Sequence, residues 1–189
     1  MRKYSKADAK AYAREHMRGI WAAALNPFDD TLALDEPGLR ANIRHWIDDL
    51  GIAGLFIAGK QGEFFSMSIA ERKRNFEIAV DECAGEAGVI VSVSDQNFDV
   101  VRDLARHAQD CGADYVVVHA PVLSFVHERG EVLYQYYETL CDELDIGIAL
   151  WSHPDSGYLM TPEECARIAE LPNIVAIKYS VPREMYARL

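Results

Sequence analysis

Lys178 is one of six lysines in a chain of 189 residues, and it closes the apolar run 174–178. A lysine projecting from a buried strand end loses hydration, and desolvation disfavours its charged form. A neutral amine near pH 7 attacks a ketone carbon and condenses with it to an imine. The plain alternative is a lysine whose stem lies on apolar surface while its ammonium reaches solvent. Other polar or aromatic residues suited to a site fall just after similar runs: Asn26, Lys60, Gln61, Glu63, Asp95, Gln96, His119, Trp151, His153, Asp155 and Tyr179. His119, His153, Glu63 and Asp95 have a second reading, as ligands of a divalent metal, though they lack a tight His-x-x-x-His spacing. His45 and His107 fall inside helical patterns and His127 in a loop, where structural or solvated roles suffice. Tyr179 directly follows Lys178, so in a regular strand its side chain alternates to the opposite face.

The elements that position these residues are legible from periodicity. Continuous apolar runs cover 20–25, 53–58, 89–93, 115–119, 146–151 and 174–178. Their spacing of about thirty residues is that of a βα unit, and their unbroken apolarity suits parallel strands covered on both faces. Leu39, Ile43, Ile47 and Leu50 share a helical stripe that Gly51 ends. Ser68 with Glu71 makes a capping box, and Thr161-Pro162-Glu163-Glu164 combines an N-cap with proline at the first helical position. Val101, Leu104, Ala105 and Ala108 mark one more helix, Leu133, Tyr137, Leu140, Cys141 and Leu144 another, and Pro182 opens a last one.

Two architectures use this alternation, the closed eight-stranded barrel and the open doubly wound sheet. A nucleotide-binding open sheet carries a glycine-rich loop after its first strand, and here that position reads Leu25-Asn26-Pro27-Phe28. The expected fold is therefore α/β, a (β/α)8 TIM barrel of which about six units are present. The expected organisation is an N-terminal helical extension over 1–18 and a partial barrel over 19–189, with the C-terminal units missing. In such barrels the chemistry sits at the C-terminal ends of the strands.

Nineteen basic against thirty acidic residues give a net charge of −11, a field that repels phosphate backbones and argues against nucleic acid. No apolar run approaches the roughly 20 residues of a membrane span, and the basic N-terminus lacks the apolar stretch of a signal peptide. Cys83, Cys111, Cys141 and Cys165 are widely spaced, which favours buried thiols over disulfides or zinc and leads us to expect a cytoplasmic protein.

From Gly19 onward the chain resembles the dihydrodipicolinate synthase/N-acetylneuraminate lyase family of class I aldolases. Asn26-Pro27-Phe28 resembles that family's Thr-Pro-Phe. Gly59-Lys60-Gln61-Gly62-Glu63, running on to Ser68-Ile69-Ala70-Glu71-Arg72, resembles its Gly-Thr/Ser-Thr-Gly-Glu loop. Ala105-Arg106-His107-Ala108 through Gly112-Ala113-Asp114 is similar to its third helix and fourth strand. Leu171-Pro172-Asn173-Ile174-Val175-Ala176-Ile177-Lys178 is similar to the segment bearing its Schiff-base lysine.

The resemblance implies a lyase or aldolase, or a hydro-lyase, acting on small 2-oxo acids such as pyruvate derivatives. It implies Lys178 as nucleophile, no metal or organic cofactor, and a homo-oligomer. Gly59, Gln61 and Gly62 would offer backbone N–H groups to the substrate carboxylate, with Asn26, Lys60 and His153 close by. Departures accompany the match. The family's loop threonines are Lys60 and Gln61 here. Its strand-five tyrosine falls on Trp151, whose indole has no proton that titrates in a useful range. The partner tyrosine falls on Leu123, and the arginine of the synthases falls near Ser156. These changes argue against dihydrodipicolinate synthase itself. Ile177-Lys178-Tyr179 and His153-Pro154-Asp155 look more like the hydratase-aldolase branch, with Tyr179, His153 and Lys60 as replacements for the lost proton relay. A non-catalytic degenerate homologue is the remaining alternative.

Overall fold

A computed structural model of the protein describes residues 3–123, 127–154 and 158–189. Six strands, β1 (Trp21–Ala23), β2 (Gly54–Ile57), β3 (Gly88–Ser92), β4 (Tyr115–His119), β5 (Gly147–Ser152) and β6 (Ile174–Tyr179), form one sheet. They lie in sequence order, and every neighbouring pair is parallel. A doubly wound sheet would reverse its order at a switch point. This one does not. Four steps of about 4.8 Å would separate β2 from β6 in a flat sheet, yet Lys178 Nζ on β6 lies 4.6 Å from the Phe56 ring on β2. The sheet therefore curls into a partial (β/α)8 barrel, open between β1 and β6.

Helices α2 (Glu36–Arg44), α3 (Ile69–Cys83), α4 (Phe98–Cys111), α5 (Arg129–Glu143) and α6 (Pro162–Ala169) connect successive strands, after α1 (Ala9–His16) and before the short α7 (Arg183–Tyr186). Local chemistry sets their ends. The two capping boxes form as expected, at Ser68 with Glu71 and at Thr161 with Glu164. Asp35 and Asn97 cap α2 and α4 through their side-chain oxygens, and Gly112 ends α4 at φ 98°. Between helices and sheet lies the main core, which includes Leu55, Phe76, Leu104, Val116, Leu140 and Ile148. A smaller inner cluster joins Phe56, Ile90, Tyr115, Val117, Ala149 and Trp151. All four cysteines are free thiols in helices, and Cys111 alone is only partly buried.

Two expectations are corrected. Leu39 and Ile43 are buried, but Leu50 is 57% exposed, because His45–Asp49 winds as a π-helical turn and its wider spacing rotates later residues off the stripe. The run 20–25 yields only the three residues of β1, with Ile20 and Leu25 exposed. Among the described residues this strand pairs on one side only.

The basic N-terminal segment is tied to the opposite end of the sheet from the strand C-termini. The Tyr4 hydroxyl donates to the Asp114 carbonyl and accepts from Gly147 N at 2.8 Å. Lys3 pairs with the buried Asp114 carboxylate at 2.6 Å. Lys6 and Lys10 donate to the carbonyls of Cys141 and Ala169 in the last turns of α5 and α6, where cations favour the exposed carbonyls and the helix dipole.

Candidate active site

Pairing across the sheet brings three strand-end residues to one level. His119 on β4 is opposite Trp151 on β5, and Trp151 is opposite Lys178 on β6. In-register residues of parallel strands share a face, so these three crown the inner face at the C-terminal end. Lys178 Nζ lies 4.3 Å from the Trp151 ring centroid and 4.6 Å from that of Phe56. Phe56 and Trp151 meet edge to face at 5.2 Å. Behind Trp151 the His119 ring stands at 3.7 Å, then Phe64 at 5.8 Å from His119, then the Arg72 guanidinium at 5.1 Å from Phe64. The sequence is cation, ring, imidazole, ring, cation.

Electrostatics follow from this packing. Burial, and then the Lys60 charge, push the Lys178 amine below its ordinary pKa. Burial pushes His119 down to about 3, helped by Lys60, His153, Lys178 and Arg72, so this imidazole is neutral at physiological pH. Its Nε2 and the Trp151 Nε1 are both buried without a hydrogen-bond partner among the described residues. Arg72, 3% exposed, donates to the carbonyls of Ser92 and Ser94 at 3.0 Å, with Asp95 at 3.6 Å. A cavity of about 230 Å³ lies against Lys178, lined by Trp21, Phe56, Ile90, Val117 and Ala149. A second, of about 300 Å³, is lined by Phe64, Phe65, Arg72, Asp95 and His119.

The loop 59–63 faces this group from the end of β2. Asn26 Nδ2 donates to the Gly62 carbonyl at 2.6 Å and Asn26 Oδ1 accepts from Asn75 at 2.8 Å, which pins the loop to β1 and α3. A Cβ on Gly59 would meet the Phe56 ring at 2.9 Å, so the ring that faces Lys178 requires glycine there. Lys60 Nζ lies 3.3 Å from His153 Nδ1. The ammonium can only donate, so that nitrogen accepts.

The sequence model of the Dihydrodipicolinate synthetase family matches residues 16–187. The chain belongs to this family. An N-acetylneuraminate lyase of Clostridium perfringens is 35% identical over 165 residues, covering 87% of this chain and 57% of that protein. A 4-hydroxy-tetrahydrodipicolinate synthase of Methanothrix thermoacetophila is 35% identical over 162 residues, covering 85% and 53%. Among solved structures, CdNal from Clostridium difficile in complex with mannosamine superposes with a TM-score of 0.84 at 32% identity, over 91% of this chain and 59% of that one. YagE from E. coli K12, in complex with pyruvate, gives 0.84 at 29% identity over 90% and 57%. The chain thus spans little more than half the length of these members of the dihydrodipicolinate synthetase family.

Within this family member, Lys178, Trp151, Lys60, His153 and His119 gather at one end of the sheet, as their strand-end positions require. Gly59 and Gly62 shape the loop, while Gln61 is exposed. Tyr179 is on the other face, where its hydroxyl donates to the Met160 carbonyl at 3.0 Å; it is not brought to Lys178. Leu123 is buried. Glu63 is exposed in a left-handed conformation at φ 54°, and among the described residues no group of three or more His, Cys, Asp or Glu side chains is placed to hold a metal. Asp155 and Ser156 lie outside the described residues. Sequence reasoning missed Phe56 and Arg72. Phe56 carries a readable signal, an aromatic residue on the inward parity of β2 three positions before Gly59. Arg72 closes the family-like segment 68–72, but nothing local marks it as a site residue, since its contacts with the Ser92 and Ser94 carbonyls are tertiary.

Proposed function

We propose that this protein is a class I lyase or aldolase of small 2-oxo acids, with Lys178 as the nucleophile that forms a Schiff base. One observation carries the reading: a lysine amine at the C-terminal end of a barrel strand, half-buried against two aromatic rings, with its pKa depressed by burial. A lowered pKa enlarges the neutral fraction that can attack a keto carbon, and the protonated imine then accepts electrons from the bond being broken. Carbon–carbon cleavage, condensation and loss of water all follow from that intermediate. The loop 59–63 supplies backbone N–H groups for the substrate carboxylate, and Lys60 beside His153 adds positive potential above it. Family membership supports the reading, because the relatives named above are lyases and synthases of this type. The unpaired edges of β1 and β6 are in keeping with a homo-oligomer, and four free thiols with a reducing, cytoplasmic setting.

The test is a screen of 2-oxo acid aldols and 2-oxo-hydroxy acids for release of pyruvate or water, with Lys178→Arg in parallel. We expect turnover in the native protein and its complete loss in the arginine variant, which keeps the charge but cannot form an imine. Equal turnover in the two proteins would end the proposal.

A further inference from the structure

We infer that Trp151 and Phe56 form an aromatic cradle that holds the positive charge of the Lys178 Schiff base, and that this holding replaces protonation by a neighbouring acid. The inference rests on the Schiff-base reading above and extends it to the state of the nitrogen. Imine formation here conserves charge at one atom. The amine lone pair adds to the keto carbon as the carbonyl π bond breaks onto oxygen, proton transfers give a carbinolamine, and water leaves as the C=N bond forms. Net, ammonium plus ketone gives protonated imine plus water. Counted from the ammonium form, the positive charge stands on the Lys178 nitrogen before and after.

Few of the described groups can stabilise that charge. Among the described residues no carboxylate lies within ion-pair distance of Lys178, and the charged group acting on it, Lys60, is repulsive. The groups that approach its Nζ are ring faces, Trp151 at 4.3 Å and Phe56 at 4.6 Å, inside the range in which the negative face of a ring attracts a cation. The two rings meet at an interplanar angle of 75°, so they wall the nitrogen from two directions. Trp151 is 1% exposed and fixed from behind by His119, whose neutral ring adds no competing charge. Tyrosine at this position would offer a proton. Indole offers the more electron-rich face instead, and a Schiff base kept protonated by its surroundings needs no acid beside it to remain an electron sink.

The test uses the full chain and two readouts. The first is the pH dependence of Lys178 acylation by acetic anhydride without substrate, with Lys73 as internal reference. The second is the pH dependence of cyanoborohydride trapping with pyruvate, since that reagent reduces only the protonated imine. Trp151→Leu keeps the site apolar and removes the ring. We expect its acylation midpoint and the alkaline limb of trapping both to move down by roughly 0.4 to 1.5 pH units, a 2- to 30-fold loss of the charged form. Trp151→Phe and Phe56→Leu should give smaller shifts in the same direction, and they carry the test if the first variant fails to fold. Midpoints that stay in place or rise in the leucine variants, while pyruvate still adds to Lys178, would overturn the cradle and leave the Schiff base intact. A native protein to which pyruvate never adds would remove the Schiff-base reading, and the inference with it.

Discussion

His119 is held far from the titration range of a free imidazole. An imidazole in an unfolded chain titrates near 6.5, whereas burial and four neighbouring cationic or titratable groups hold His119 at about 3. Between those values the unfolded chain binds a proton that the folded protein refuses, so stability is lost as pH falls through this window and is fully present above it. Urea midpoints should decline from about pH 7 to about pH 5, above the range in which carboxylates titrate. His119→Phe keeps the ring stack and should flatten that decline; an unaltered slope would clear His119 of the effect. At this scale the strand-end rule located Lys178, Trp151 and His119, because each follows a legible apolar run. The rule could not see that Trp151 would lie between an amine and an imidazole. That arrangement depends on register between strands, not on spacing along the chain.

At the scale of elements, the Asn26 amide ties the loop 59–63 to α3. Asn26→Ala would leave the Gly62 carbonyl without its donor and the Asn75 amide, on a residue with no exposed surface, without its oxygen acceptor. Leaving buried polar groups unsatisfied costs about 1–3 kcal/mol. We expect a urea midpoint lowered to match. KM for a 2-oxo acid should rise more than kcat falls, because the proposed role of the loop is to bind the carboxylate and Lys178 is untouched. A variant with native stability and KM would show that the loop holds its shape without Asn26. Helix caps and five of the six strands were readable, since a serine three residues before a glutamate acts locally. The contraction of β1 and the π turn at His45–Asp49 were not, because pairing on one side and the packing of Trp46 and Ile47 against the core are tertiary. The Asn26–Asn75 link joins residues 49 positions apart, and no local pattern records it.

For the whole molecule, strand order follows chain order from β1 to β6, and among the described residues each end strand has a single partner. Open strand edges pair with other chains. The N-terminal segment covers part of the inner face through Tyr4, Tyr12 and Met17, but it adds no strand. Residues 1–189 expressed alone should therefore elute as oligomers or aggregates in size-exclusion chromatography with light scattering. A monomer with a sharp thermal transition would contradict this. The proposed chemistry depends on one bond, between Lys178 Nζ and the keto carbon of a 2-oxo acid. Incubation with pyruvate and borohydride, followed by peptide mapping in a mass spectrometer, reads that bond directly. We expect an irreversible three-carbon adduct on Lys178 and on no other lysine. An unmodified Lys178, or an adduct spread evenly over the surface lysines, would overturn the Schiff-base proposal.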